Sequence, residues 1–456
     1  MLNRIMKPND ILTLDINVIG EDGDGVAILG RKLVYINNVL PGERVRAIVS
    51  DVAKTYAHAT LIKVIKPSEK RVKARCKHVR ECGGCQIQEM DYLAQLTLKR
   101  QKVIENLKLY GFDSNEKIKE TIGCSKVYGF RNKAVYPVAK NADGEIVAGF
   151  FTRRSHNIIS SGECPIGANE NIDIVNGVLK YFKAYNIEPY NEEKHSGIVR
   201  YIMIRKAFAT NSLMVSIIIN GVSLPNSKVL IDSLLSIANN IKDISLTVNC
   251  DNTNRIRGTE IVSLYGNGFI IDKIGGISFR ISPLSFYQVN PLQTEVLYSN
   301  VLQLAALTGK ETVFDLYCGV GTISLFLAQH SKKVYGVESV SQAVDDARIN
   351  AEINHINNVE FITGKAEEVI PALVENQGIT ADVVVVDPPR KGCDKALIDT
   401  IIQMNPLRIV YVSCDSKSLA RDLRIFVDNG FKINLIQPVD MFPHTIHIEN
   451  VALITK

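Results

Sequence analysis

The chain lacks the features that mark membrane and secreted proteins. Among its 456 residues there is no run of about 18 apolar side chains, the length that a membrane-spanning helix needs. The first ten residues, M-L-N-R-I-M-K-P-N-D, contain no apolar stretch of the kind found in signal peptides. We therefore expect a cytoplasmic protein with no membrane partner. In a reducing compartment, its nine cysteines are expected to bind metal or act in catalysis instead of forming disulfides.

Three common cofactor signatures are also missing. No Gly-Lys-Ser/Thr occurs, so the chain has no P-loop, and its loop D-L-Y-C-G-V-G lacks the third glycine of a dinucleotide fingerprint. The C-x3-C-x2-C spacing of radical enzymes is absent as well. What the chain does have is a length typical of about three domains and a net charge of +5, which permits an acidic partner without identifying one.

The first segment, residues 1–66, predicts a small β-barrel. Its short β-rich runs are Ile11–Ile19, Val26–Leu29, Leu33–Val39, Arg44–Val52 and Ala57–Ile65. Evenly spaced short strands with glycine and proline turns are typical of OB-like barrels, which often bind oligonucleotides. A packing or dimerisation module is the alternative. In length, strand pattern and position the segment resembles the TRAM domain, and this resemblance implies RNA binding.

Four cysteines in the second segment, residues 67–283, are candidate metal ligands. They are Cys76, Cys82 and Cys85 in a basic stretch, and Cys164 in G-E-C-P-I-G. The glycines between Cys82 and Cys85 let the backbone fold tightly around an ion or a cluster. All-sulfur ligation suits zinc or an iron–sulfur cluster, and the three-plus-one layout favours 4Fe-4S over zinc. Cys124 and Cys250 lack such spacing and are expected in the core.

The rest of the second segment predicts an α/β module. Aromatic and basic residues alternate in Tyr128–Val138, which suits either RNA contact or an amphipathic strand with a solvated face. Further along, Arg200 and Arg205 are expected to face RNA or solvent. No other chemistry is evident in this part of the chain.

The third segment, residues 284–456, alternates strands and helices as a doubly wound sheet does. The strand Thr312–Leu316 leads into D-L-Y-C-G-V-G and a helix, and the strand Lys333–Val337 ends in Glu338. An acidic residue there can bind both hydroxyls of a ribose. A capped helix is expected to open at Ser341. The pattern D-x-x-x-G-x-G resembles the first motif of class I S-adenosylmethionine-dependent methyltransferases.

A thiol and a carboxylate are predicted to meet at the ligand edge of this sheet. Cys414 follows the buried strand Ile409–Val412, and Asp387-Pro388-Pro389-Arg390 forms a rigid turn after four valines. In class I methyltransferases the last strand lies antiparallel to strand five, which would bring Glu449 to Cys414. A nucleophile, a base and a methyl donor then each have a place.

Together these residues resemble the RNA uracil-5-methyltransferase family, in particular its 23S rRNA branch. The matching motifs are S-F-Y-Q-V-N-P, D-L-Y-C-G-V-G, D-P-P-R-K-G, V-S-C-D and H-I-E-N. The resemblance implies S-adenosylmethionine contacts at Gln288, Tyr317, Glu338 and Asp387. It further implies Cys414 as nucleophile, Glu449 as base, and 4Fe-4S ligation by Cys76, Cys82, Cys85 and Cys164. The expected fold is a class I, Rossmann-like, seven-stranded mixed sheet preceded by a TRAM barrel and a central α/β domain.

The same resemblance implies methylation of carbon five of a flipped-out uridine through a Cys–uracil adduct. The protein is expected to be a monomer. The bacterial tRNA enzyme of the family lacks both barrel and cluster, which favours 23S rRNA as partner. Where many class I enzymes carry an Asp after strand three, this chain has Lys365. Three alternatives stay open: a tRNA uracil-5-methyltransferase, an RNA cytosine-5 methyltransferase, and a non-catalytic iron–sulfur RNA-binding protein.

Overall fold

The computed structural model describes residues 6–113, 115–252, 256 and 258–456. Residues 1–5 of the predicted first segment therefore lie outside the described residues. The chain forms two compact units. One comprises residues up to 99 together with 151–159 and 442–447, and the other comprises 100–150, 160–441 and 448–456. The predicted segment boundaries at residues 66 and 283 stay a prediction. No helix in the described ranges is long and apolar enough to cross a membrane.

The first unit contains a six-stranded sheet. Its strands are β1 (Ile11–Asp15), β2 (Val18–Ile19), β3 (Gly25–Leu29), β4 (Lys32–Ile36), β5 (Arg44–Val52) and β6 (Tyr56–Lys66), in the order β1-β5-β6-β4-β3-β2. In β5, Val45, Ala47 and Val49 are buried and alternate with more exposed side chains, as expected for a strand with one face on a core. Side chains of five strands share that core. The predicted run Ile11–Ile19 is interrupted at residues 16–17.

A second, mixed sheet lies mainly in the second unit. The elements of this stretch are α1 (Tyr92–Lys108), β7 (Lys133–Lys140), β8 (Ile146–Phe151), β9 (Ile158–Ser160), α2 (Asn171–Ala184), β10 (Val199–Lys206), β11 (Leu213–Ile219), α3 (Ser227–Ile237), β12 (Ile241–Val248) and β13 (Glu260–Gly266). Six of its seven strands follow the order β13-β12-β11-β10-β7-β8. All seven residues of β11 are buried, which fits a central strand covered on both faces.

The second unit also holds the doubly wound sheet. Before it, β14 (Ile270–Ile274) and β15 (Ile277–Ile281) form a separate two-stranded sheet. The elements of the doubly wound sheet are α4 (Pro291–Ala305), β16 (Thr312–Leu316), α5 (Thr322–Ala328), β17 (Lys333–Glu338), α6 (Ser341–Ile353), β18 (Val359–Thr363), α7 (Ala366–Gln377), β19 (Val383–Val386), α8 (Lys395–Met404), β20 (Arg408–Ser413), α9 (Ser416–Asp428), β21 (Lys432–Val439) and β22 (Glu449–Thr455). The strand order is β18-β17-β16-β19-β20-β22-β21. Strand β22 is antiparallel to both of its neighbours, so the predicted seven-stranded mixed sheet is confirmed.

Several predictions about individual residues were wrong. Cys250 is exposed, whereas Cys124 is buried as predicted. Arg200 and Arg205 do not face solvent, since they are only 6% and 1% exposed. Arg205 instead donates from Nη2 to the carbonyl of Ser285 at 3.0 Å. Helix α6 begins at Ser341 as predicted, but the position before it is Val340, whose side chain provides no cap.

Candidate active site

The loop between β16 and α5 turns sharply because three of its residues adopt positive φ angles. Tyr317 has φ +65°, Gly319 +56° and Gly321 +79°. A Cβ atom on Gly321 would lie 2.7 Å from Cζ of Phe361, so no other residue fits there without displacement of that ring. The peptide N–H of Gly319 donates to Oε2 of Glu338 at 3.2 Å. Tyr317 and Glu338, two predicted donor-binding residues, therefore lie at the same edge of the sheet.

Glu338 is fixed by the chain on either side of it. Besides Gly319, the N–H of Val340 donates to Oε1 of the same carboxylate at 2.9 Å. These bonds orient the carboxylate at the carboxyl end of β17. By contrast, Lys365 after β18 is exposed and forms an ion pair with Glu368 at 2.9 Å, so this position offers no carboxylate to a ligand.

Two further carboxyl groups near this loop, those of Asp315 and Asp387, have raised pKa values. Burial, assisted by the charge of Asp387, raises the pKa of Asp315 to about 7. Burial alone raises the pKa of Asp387 to about 7. Oδ2 of Asp315 accepts a 2.5 Å hydrogen bond from Ser324, while Oδ1 has no hydrogen-bond partner among the described residues. Buried carboxyl groups without a counter-charge favour binding of a cation, and the sulfonium of S-adenosylmethionine is such a cation.

Gln288 lies in the segment that precedes α4, and this segment is held by buried polar side chains. Asn132 donates from Nδ2 to the carbonyl of Gln288 at 3.0 Å. Ser285 donates to Asp346 at 2.9 Å. Asn290 caps α4 by accepting from the N–H of Gln293, as its sequence position before Pro291 predicts. These bonds fix the backbone on both sides of the half-buried Gln288.

Cys414 and Glu449 lie side by side at the end of the ladder between β20 and β22. The last paired residues are Ser413 and Asn450, and Asn450 also donates from Nδ2 to the Ser413 carbonyl at 3.3 Å. Cys414 and Glu449 are the next residues on the two facing chains. Cys414 is half-buried, and Glu449 is 5% exposed.

Burial is the main cause of the raised pKa values of both groups. Burial raises the pKa of the Cys414 thiol to about 12, and the negative charges of Glu449 and Asp387 add to the effect. Burial, with a contribution from Asp387, raises the pKa of Glu449 well above its ordinary value. The guanidinium of Arg390 opposes both shifts. The structure therefore brings the thiol, two carboxyl groups and one cation together at this edge of the sheet.

Arg390 and Asp315 are the site residues that sequence reasoning did not assign. Both belong to motifs quoted above, D-P-P-R-K-G and D-L-Y-C-G-V-G. The signal for Arg390 was its position directly after two prolines at the ligand edge. That signal does not say which neighbours the guanidinium reaches, since they come from strands distant in sequence.

The four cysteines predicted to bind a cluster are divided between the two units of the chain. Cys76, Cys82 and Cys85 belong to the first unit, whereas Cys164 belongs to the second. Burial and the charge of Cys76 raise the pKa of Cys82, whose sulfur accepts the N–H of Gly84 at 3.4 Å. Over the ranges that the structure describes, no group of three or more His, Cys, Asp or Glu side chains is arranged to hold a metal ion. The 4Fe-4S ligation stays a prediction.

Comparison with known proteins agrees with the geometry. Residues 271–456 match the tRNA (Uracil-5-)-methyltransferase family model, and residues 7–62 match the TRAM domain. An uncharacterised RNA methyltransferase of Clostridium acetobutylicum is 45% identical over 99% of this chain and 98% of its own. One from Halalkalibacterium halodurans is 46% identical over 98% of each chain.

A solved structure extends the similarity to nearly the whole chain. It is that of Pyrococcus abyssi tRNA (uracil-54, C5)-methyltransferase in complex with S-adenosyl-L-homocysteine. It is 27% identical, has a TM-score of 0.76, and covers 97% of this chain and 100% of its own. The predicted TRAM and class I methyltransferase folds are thereby confirmed. The chain belongs to the family of S-adenosylmethionine-dependent RNA (uracil-5-)-methyltransferases.

Proposed function

We propose that this protein methylates carbon five of a uridine in 23S rRNA through a covalent adduct on Cys414. The observation that carries the proposal is the juxtaposition of Cys414 and Glu449 at the end of the β20–β22 ladder. A nucleophile and a base at one edge of a class I sheet fit a mechanism in which the enzyme first activates a pyrimidine covalently. Direct methyl transfer needs no thiol.

Four residues are proposed to hold the methyl donor: Gln288, Tyr317, Glu338 and Asp387. When bound, S-adenosylmethionine supplies an electrophilic methyl group. Glu338 is held at the end of β17, where it can accept hydrogen bonds from ribose hydroxyls. The raised pKa of Asp387, caused by burial, indicates a carboxyl group that gains from a nearby positive charge.

The chain's own residues can then carry the reaction. The Cys414 thiol gives up its proton to solvent as its sulfur adds to carbon six of the uracil, which makes carbon five nucleophilic. Carbon five takes the methyl group as the bond between that group and the donor's sulfur breaks. Glu449 removes the remaining hydrogen of carbon five as a proton, and the carbon–sulfur bond breaks to release the thiolate. The uridine must leave its stack to reach the half-buried sulfur.

A thiol with a pKa of about 12 needs help to ionise at neutral pH. Arg390 provides part of that help, because its charge favours the thiolate. A cationic donor held by Asp387 and its neighbours would favour the thiolate further. The site is therefore expected to form more thiolate once the donor is present than in its absence.

The RNA class is the finer part of the proposal. Support for 23S rRNA comes from the family resemblance, whose bacterial tRNA enzyme lacks the barrel. A tRNA substrate is the second candidate, because the structurally similar Pyrococcus abyssi protein is named as a tRNA (uracil-54, C5)-methyltransferase. Mass-spectrometric mapping of 5-methyluridine in 23S rRNA and in tRNA, from cells with and without the protein, distinguishes the two. Loss confined to tRNA would refute the rRNA proposal.

We also propose that Cys76, Cys82 and Cys85 ligate a 4Fe-4S cluster, with Cys164 as the fourth ligand on sequence grounds alone. The N–H bond from Gly84 to the Cys82 sulfur is of the type that stabilises cluster thiolates. Iron and sulfide analysis of protein purified without oxygen tests this. Stoichiometric zinc without iron would refute it, and a Cys82→Ser variant serves as the matched control.

A further inference from the structure

A buried polar cluster lies behind the turn that carries Arg390. The turn runs from residue 387 to residue 394 and joins β19 to α8. Its support comes from α9, the helix that begins two residues after Cys414. At the centre of the cluster is Asp422, whose side chain is fully buried.

Asp422 accepts hydrogen bonds from three different parts of the second unit. Oδ2 accepts the N–H of Cys393 at 2.9 Å and the hydroxyl of Tyr411 at 2.6 Å. Oδ1 accepts Nε and Nη2 of Arg421 at 2.8 and 2.6 Å. Hydrogen bonds to an ionised group are among the stronger polar interactions in proteins. The carboxylate thereby connects the turn, strand β20 and its own helix.

Arg421 extends this connection to the carbonyl side of the turn. Its Nη2 donates to the carbonyl of Lys391 at 2.8 Å. The turn is thus held at an N–H by Asp422 and at a carbonyl by Arg421, two residues apart. Such paired anchoring fixes the orientation of the intervening peptide as well as its position.

Gly392, between those two anchored residues, fits against the side chains of Arg421 and Asp422 only because it has no side chain. Its φ is +81°, and a Cβ atom would lie 2.5 Å from both Nη2 of Arg421 and Oδ2 of Asp422. The backbone therefore passes directly over the ion pair. This close approach indicates that the ion pair shapes the turn.

The turn lies at the active-site edge of the sheet, because β19 and β20 are parallel neighbours and Cys414 follows β20 at the same edge. The positive charge of Arg390 lowers the pKa values of Cys414 and Glu449 and so favours their ionised forms. The backbone of Asp394 hydrogen-bonds the phenol of Tyr317, one of the proposed donor-binding residues. A shift of the turn would move Arg390 and Asp394 together.

We infer that Asp422 and Arg421 are positioning residues for the methyl transfer, which hold the 387–394 turn so that Arg390 stays at the edge of the sheet where Cys414 lies. The inference rests on the proposed role of Cys414 as nucleophile. Neither residue needs to touch substrate or donor. Their effect on the reaction passes through the backbone of the turn to the guanidinium of Arg390.

The charged groups near Cys414 determine how readily its thiolate forms, and thiolate formation is therefore the property to measure. Glu449 and Asp387 disfavour the thiolate and Arg390 favours it. Alkylation of Cys414 by iodoacetamide, followed by mass spectrometry of its peptide across a pH series, measures thiolate formation in the full-length protein without RNA or donor. This readout is independent of methyl transfer, so failure of the proposed function appears separately in the 5-methyluridine map.

Arg390→Gln is expected to slow alkylation of Cys414 at a given pH by about tenfold, the factor for one pKa unit. Asp422→Asn should slow it in the same direction, and Arg421→Lys to a smaller degree. The double variant R390Q/D422N should be no slower than R390Q alone, because both changes act through one guanidinium. Asp428→Asn is the control, since Asp428 is on the same helix but pairs with Arg424 at the surface.

Two results would overturn the inference. One is a folded Asp422→Asn protein with wild-type alkylation of Cys414 beside a slowed R390Q, which would leave Asp422 a purely structural role. The other is additive slowing in the double variant. If Asp422→Asn does not fold, Arg421→Lys decides, because residue 421 is partly exposed and lysine keeps the positive charge. Wild-type alkylation of Cys414 in Arg421→Lys would refute the inference.

Discussion

Cys414 and Glu449 occupy the first positions beyond the last paired residues of β20 and β22, Ser413 and Asn450. Because β22 lies antiparallel beside β20, Cys414 and Glu449 face each other although they are 35 positions apart in sequence. In a wholly parallel sheet the start of the final strand would lie at the opposite edge. The topology of the last strand therefore decides whether this chain has both a nucleophile and a base.

Replacing Cys414 by Ala should abolish methylation while leaving binding of S-adenosylmethionine intact. The sulfur forms the bond to carbon six, whereas the proposed donor contacts come from other residues. Methyl transfer from labelled donor to RNA and calorimetric titration of the donor measure the two properties. The matched control is Cys250→Ala, because Cys250 is exposed; turnover by Cys414→Ala would refute the nucleophile.

Glu449→Gln should trap the RNA on the enzyme. The amide cannot take the proton from carbon five, so the adduct forms and is methylated but does not eliminate. A band of protein-linked RNA that survives denaturing gels is the expected result, and it should disappear when Cys414→Ala is added. Normal turnover without any adduct would contradict the role of Glu449, and Glu352→Gln, on an exposed position of α6, is the control.

Affinity for S-adenosylmethionine should fall as the pH drops below about 7. The pKa values of Asp315 and Asp387 are raised to about 7, so both carboxyl groups lose their charge as the pH falls through that value. The ionised forms attract the sulfonium, and each protonation weakens binding by at most about tenfold per pH unit. Calorimetry between about pH 8 and pH 6 measures the slope.

The product S-adenosylhomocysteine provides the control for this prediction, because its neutral thioether lacks the sulfonium charge. Its affinity should change less over the same pH range. Asp387→Asn should flatten the pH dependence of the donor. Equal slopes for donor and product would show that these carboxyl groups do not interact with the sulfonium.

RNA affinity should depend on an aromatic face of the barrel formed by Tyr35, Tyr56 and His58. Their ring centroids lie 5.4 to 6.1 Å apart, and strand β4 pairs with β6 at these positions. Stacking of an unpaired base on an aromatic ring contributes about 1–3 kcal/mol. Tyr56→Ala should therefore weaken RNA binding by roughly fivefold or more.

Filter binding of an rRNA fragment measures this effect. Tyr265→Ala is a suitable control, because Tyr265 is similarly exposed but lies on β13 of the second sheet. Loss of affinity in both variants would indicate a general effect of surface aromatic residues. No loss in Tyr56→Ala would remove this face from the RNA-binding surface.

Local patterns in the sequence determined most of the doubly wound sheet. The strands Thr312–Leu316 and Val383–Val386 have the predicted bounds, because unbroken apolar runs between glycine and proline turns leave few alternatives. Asn290 before Pro291 fixed the start of α4 for an equally local reason. The proximity of Cys414 and Glu449 also followed, but only through the resemblance to a family with a known strand order.

Tertiary structure alone decided which charged residues are buried and what they hold. Arg205 and Asp422 look like surface residues in sequence, yet both are buried and hydrogen-bonded to backbone distant along the chain. Whether a polar side chain is buried depends on partners supplied by other elements, and local alternation carries no information about them. The sequence by itself determined the elements and the reactive groups; packing decided which other charges act on them.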